Sequence, residues 1–141
     1  MRARAVASCR DKSDKASKEG TNNVDHIQLR VRACSQRRFY TAALAPLGFT
    51  VEYDDDDLVG FGPKRAPALW LREGEPGGPL HIAFVAKDRA AVRAFYAAAL
   101  PVGGLDNGAP GLRPQYHANY YGGFVRDPDG NNIEAACHQE E

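Results

Sequence analysis

The sequence predicts an α+β fold made of two tandem units, each a strand, a helix and about three further strands. Three observations predict it. A helical segment recurs: "FYTAALAPLG" at 39–48 answers "FYAAALPVGG" at 95–104, with six of ten positions identical. Upstream of each lies a strand-like segment, "DHIQLRV" at 25–31 and "LHIAFVA" at 80–86, with His26 and His81 at matching places. Short β-forming segments follow each helix, and the last two flank the turn "DPDG".

The elements follow in order. After the strand at 25–31, a helix is expected from about Ser35 to Ala45. Phe39, Ala43 and Leu44 share one face, and Pro46 and Gly48 end it. Strand signals come at 49–53, 58–62 and 68–72. The second unit opens with the strand at 80–86. Its helix takes Asp88 as N-cap, repeats Val92, Phe95, Tyr96, Ala99 and Leu100 at helical spacing, and ends at Pro101 and the Gly103-Gly104 pair. The stretch "LDNGAPGLRPQYHAN" is rich in Gly and Pro and reads as mostly loop. Strands at 120–126 and 131–137 close the unit. The units span about 24–74 and 79–138, within one domain at 23–139.

Residues 1–22 read as a disordered leader, because they lack hydrophobic periodicity and large apolar groups. The first twenty residues hold six basic and three acidic residues. Over the whole chain, 18 basic and 18 acidic residues cancel, so nothing in the balance calls for nucleic acid or a membrane surface. With 43% hydrophobic residues the chain can build a core, yet no apolar run reaches the length of a membrane span. The three cysteines, Cys9, Cys34 and Cys137, are odd in number and lack metal-ligand spacing. Reduced thiols in a cytoplasmic protein are the expectation.

Strand side chains alternate between faces. Ile27, Leu29 and Val31 share one face at 25–31, and His26, Gln28 and Arg30 the other. At 80–86, Ile82 and Phe84 oppose His81, Ala83 and Val85. At 131–137, Ile133, Ala135 and Cys137 oppose Asn132, Glu134 and Ala136. The apolar faces belong under the helices. The other faces carry His26, His81 and Glu134, which meet in one concavity if the two halves form one curved surface. Two His and one carboxylate are the ligand set that leaves open positions on a divalent metal such as Fe, Mn, Zn, Ni or Co. Taken singly, each of the three reads as an ordinary solvated strand residue.

Together, "DHIQLRV", the two "FY" helices, "LHIAF" and "FVRDPDGNNIEA" resemble the vicinal oxygen chelate superfamily. It includes glyoxalase I, extradiol dioxygenases, fosfomycin-resistance thiol transferases, methylmalonyl-CoA epimerase and bleomycin-resistance proteins. The resemblance covers roughly Val24 to His138. It implies paired βαβββ modules curled into an open barrel, and frequent homodimers. It also implies metal ligands at His26, His81 and Glu134, with Glu134 able to move a proton. Two departures stand out. Trp70 holds the place where glyoxalase I has a fourth ligand. Phe124 holds the place, ten residues before Glu134, where the extradiol and fosfomycin enzymes have a Tyr. Tyr120 shares that face and would substitute only if the strand were shifted.

The resulting expectation is a divalent-metal-dependent enzyme of lyase, isomerase or dioxygenase type, acting on a small oxygen-bearing substrate. The alternative is a metal-free binding or resistance protein of the same fold. Arg30, Gln28, Trp70, Tyr120, Phe124 and Asn132 are the candidate substrate contacts. Arg30 suits an anionic group, or else is a solvated strand residue. Tyr116, His117, Tyr120 and Tyr121 are read as cavity lining or simple packing, and Asp54–Asp57 as a solvated turn.

Overall fold

The computed structural model describes residues 24–33 and 35–141; the expected leader, Cys9 and Cys34 lie outside them. The elements are β1 (Ile27–Val31), α1 (Ser35–Leu44), β2 (Thr50–Asp54), β3 (Leu58–Gly62), β4 (Leu69–Glu73), β5 (His81–Val85), α2 (Arg89–Ala99), β6 (Leu105–Asp106), β7 (Gly111–Leu112), β8 (Tyr121–Arg126) and β9 (Asn132–Cys137). Both helices run on into a single 3-10 turn carrying a proline, and each turn ends on a left-handed glycine, Gly48 or Gly103. Asp88 caps α2 by accepting from the Ala91 amide at 2.7 Å.

Two curved sheets result, with strand orders β1-β4-β3-β2 and β5-β9-β8-β6, β7 pairing on β8. In each, the first and last long strands run parallel, because the chain crosses over through its helix between them. The other pairings are antiparallel. The stretch expected to be loop does supply β6 and β7, but only as two-residue strands.

The alternation expected from the sequence fixes which faces are buried. Leu29 and Val31 on β1, and Ile133, Ala135 and Cys137 on β9, pack under the helices with Phe39, Leu44, Val92 and Phe95. Cys137 is buried and forms no disulfide among the described residues. Helices α1 and α2 pack on one another and so join the two modules.

A buried carboxylate strengthens that joint. Asp127, the first residue of DPDG, is 2% exposed. It accepts from the Asp129 and Asn131 amides, from the Asn131 side chain, and from the Tyr40 hydroxyl at 2.6 Å. Tyr40 belongs to α1, so the turn of the second module is bonded to the helix of the first. Gly130 takes φ +88°, which closes the turn. Asn131 accepts from the Leu80 amide at 2.8 Å and ties the turn to the start of β5. Burial and the Asp127 charge hold the Tyr40 phenol well above the usual tyrosine pKa.

Candidate functional site

The open face of the second sheet holds the densest chemistry. Register places Ala83 beside Glu134 on β5–β9 and Phe124 beside Glu134 on β8–β9, so Glu134 is a central residue of its sheet. It is 2% exposed, rare for a carboxylate. Both of its oxygens are engaged. Oε2 stands 2.9 Å from His81 Nε2, and Oε1 accepts from the Tyr120 hydroxyl. The His81 side chain keeps 52% of its surface exposed, so the pair lies at a surface that a ligand can reach.

Tyr120 immediately precedes β8, whose register with β9 is unbroken from Tyr121 to Arg126. No strand shift is needed for it to reach Glu134, contrary to the expectation. The means is Gly122. A Cβ there would stand 3.1 Å from the Tyr120 ring and 3.2 Å from Glu134 Oε1. The missing side chain is what lets the phenol lie across the sheet. Desolvation, then the hydrogen bond to Glu134 and its charge, raise the Tyr120 pKa far above the tyrosine range, and the Arg113 charge works against the rise.

The aromatic groups around this pair form one surface. Phe124 tilts against His81 at 6.3 Å between ring centroids. Tyr116, His117 and His138 each pack on the Tyr120 ring, and His117 Nε2 lies 2.8 Å from His138 Nδ1. Asn132 pairs in register with His81, and its buried Oδ1 has no hydrogen-bond partner among the described residues.

The other candidates lie on the open face of the first sheet. His26 precedes β1 and is exposed; its Nδ1 stands 2.6 Å from Asp25 Oδ1, so the carboxylate engages one of its two ring nitrogens. It borders a groove with Trp70 and residues 65–67. Gln28 pairs in register with Trp70, and Arg30 with Arg72. Gln28 and Arg30 line a second groove with Leu80, Asp129 and Asn131. The structure therefore brings His81 and Glu134 together, and does not bring His26 to them. Among the described residues no group of three or more His, Cys, Asp or Glu side chains is placed to hold a metal ion. The Asp54–Asp57 run is an exposed turn in which Asp54 pairs with Arg37 and Asp57 with Arg72.

Sequence reasoning missed three contributors. His138 was within reach, since it continues the 132, 134, 136 alternation. Gly122 and Arg113 carried no periodic signal.

No family model matches the sequence, and no curated protein matches it. Solved structures do. A glyoxalase/bleomycin resistance protein from Albidiferax ferrireducens T118 superposes with a TM-score of 0.71 at 26% identity, over 80% of this chain and 97% of that one. A glyoxalase/bleomycin resistance protein/dioxygenase family enzyme from Burkholderia phytofirmans PsJN gives 0.64 at 16% identity, over 84% and 100%. A glyoxylase/bleomycin resistance protein/dioxygenase domain from Frankia sp. EAN1pec gives 0.62 at 20% identity, over 84% and 98%. Among the described residues no helix is long and apolar enough to cross a membrane.

Proposed function

For this chain, which has the vicinal oxygen chelate fold, we propose a divalent-metal-dependent enzyme of the lyase, isomerase or dioxygenase type acting on a small oxygen-bearing substrate. The observation that carries the reading is the His81–Glu134 pair, 2.9 Å apart on an open sheet face with Tyr120 holding the second carboxylate oxygen. Adjacent ligands on an octahedral ion with bonds of about 2.0–2.2 Å stand roughly 2.8–3.1 Å apart, so the two donors fit such an ion. Fe, Mn, Zn, Ni and Co all suit two imidazoles and one carboxylate.

The third donor, His26, comes in this reading from a second copy of the chain. Both open faces display apolar groups that ask for cover: Val85 is 76% exposed and Tyr53 43%. A two-fold dimer that sets the first module of one copy against the second module of the other makes two identical composite sites.

A divalent ion held there supplies Lewis acidity toward a substrate oxygen. The chain's own groups do the rest. Tyr120, kept protonated by burial, fixes Oε1 and so turns Oε2 toward His81. Glu134 is the group that moves a proton. Phe124 and Trp70 wall the cavity, and Gln28, Arg30 and Asn132 supply polar contacts to the substrate. A second reading, a metal-free binding or resistance protein, is favoured by one observation: His81 and Glu134 already satisfy each other.

Mixing two dead variants separates the readings. His26→Ala and Glu134→Ala should each fail to titrate Mn²⁺ or Zn²⁺ in calorimetry on untagged protein. After subunit exchange the mixture should regain roughly a quarter of the wild-type sites, the statistical share left intact by a shared two-fold arrangement. Wild-type protein that takes up no metal supports the metal-free reading. His26→Ala that binds metal like wild type removes His26 from the site.

A further inference from the structure

Resting on the reading of His81 and Glu134 as a ligand-facing pair, we propose that Arg113 is the anion anchor of this site, and that the ligand is a short carboxylate bearing a second oxygen function. Arg113 lies in the Gly- and Pro-rich stretch before β8. Its guanidinium carbon sits 5.4 Å from the centroid of the Phe124 ring, the same ring that packs against His81. One phenyl group thus contacts both the guanidinium and the histidine.

The guanidinium is held in place by neutral groups alone. Nη2 donates to the Ala109 carbonyl at 2.8 Å, and Nη1 to the Leu112 carbonyl at 3.3 Å. The local sequence leaves room for it: a Cβ on Gly108 would stand 3.4 Å from Nη2, and one on Gly111 would stand 3.1 Å from Nη1. Among the described residues no carboxylate forms a salt bridge with Arg113. The acid nearest in sequence, Asp106, accepts instead from Tyr96 and the Gly108 amide. A guanidinium has five N–H donors; two are spent on carbonyls, and the others are free.

This is a fixed, unneutralised positive charge beside the His81–Glu134 pair. Its planar fork matches a carboxylate, which accepts two parallel hydrogen bonds from it. Two carbonyls and a ring face already immobilise the side chain, so little ordering cost remains on binding. A carboxylate at Arg113 lays its carbon chain across Phe124 and presents a hydroxyl or carbonyl oxygen toward His81 and Glu134. Arg30 is likewise without a salt-bridge partner among the described residues.

The test titrates glycolate, ethylene glycol and inorganic phosphate into the full chain by NMR, metal-free and then with Mn²⁺ added in a parallel calorimetric series. Glycolate should saturate metal-free wild type, and ethylene glycol, which lacks the carboxylate, should not. Arg113→Gln, which can still bond the Ala109 carbonyl, should keep the wild-type melting curve and the wild-type Mn²⁺ isotherm but weaken glycolate at least tenfold; Arg113→Lys should fall between. Equal glycolate binding by wild type and Arg113→Gln overturns the proposal, as does ethylene glycol binding as well as glycolate. Phosphate binding more tightly than glycolate overturns the carboxylate assignment. A flat Mn²⁺ isotherm in wild type counts against the metal reading alone, because the metal-free glycolate series still reads Arg113.

Discussion

The two modules share a topology and differ in what they do with the same places. In the first, the residue beside Gly60 in the β3–β4 register is Trp70. In the second, the residue beside Phe124 in the β8–β9 register is Glu134. Trp70 lies flat on the glycine, where a Cβ would come 2.8 Å from its ring, and packs on Tyr53. Glu134 is buried between a histidine and a phenol. At this one place the first copy of the repeat carries an indole packed on a glycine, and the second carries a buried carboxylate. The turns differ as well. The first module's β3–β4 connection is exposed, with Glu52 accepting from the Arg65 amide. The second module's turn buries Asp127 and reaches back to α1. Of the two turns, only the second reaches across to the other module's helix.

The largest effect should come from breaking that lock. Asp127→Ala leaves the Tyr40 hydroxyl and two turn amides without their acceptor inside the protein. A loss of about 3 kcal/mol or more is expected, because each buried neutral donor left without an acceptor costs about 1–3 kcal/mol. Urea unfolding monitored by circular dichroism reads it. Glu52→Ala, on β2 where it bonds the exposed turn of the first module, should leave the midpoint nearly unchanged. Equal effects at the two turns would mean that the asymmetry is only apparent.

Tyr40→Phe cuts the same joint from the other side, at a cost of about 1.5–3 kcal/mol for a hydrogen bond to a buried charge. It also carries a pH signature. The folded-state pKa of Tyr40 is raised above its unfolded value, so its contribution is complete below the unfolded value and is lost as pH rises toward the folded one. Wild-type stability should therefore fall from about pH 10 upward, where unfolded tyrosines ionise. The fall should be shallower in Tyr40→Phe. Urea midpoints measured across that range check the slope.

Much of this was legible in the residues, for identifiable reasons. Strand alternation is a local rule, so it placed Ile133 and Ala135 inward and Glu134 on the other face before any coordinates. The recurrence of "FY" helices revealed the pairing of modules because each helix must bury the same face. The interaction of Asp127 with Tyr40 was not legible: it spans 87 positions and depends on how α1 lies over the second module. Arg113 was hidden for another reason. Its place is set by carbonyls and by two glycines in an irregular stretch, where no period exists to read. Tyr120 was judged by its position relative to β8 alone. The sequence showed Gly122 but not that its bare face leaves room for a ring.

That vacancy gives the finest test of the difference between modules. If Tyr120 orients Glu134 as a monodentate ligand, Tyr120→Phe should weaken Mn²⁺ binding roughly tenfold, about 1.4 kcal/mol, as loss of a group that positions a metal ligand does. Gly122→Ala should do the same with the hydroxyl still present, because its methyl group presses on both the ring and the carboxylate. Gly60→Ala is the matching change in the first module. It displaces the Trp70 ring from its glycine and should cost stability while leaving the metal isotherm much closer to wild type. Calorimetry with Mn²⁺ on the three variants, beside their melting curves, decides the point. If Gly60→Ala weakens the metal as much as Gly122→Ala does, the wall is part of the ligand-holding machinery, and the division of labour between the two copies is less sharp than their sequences imply.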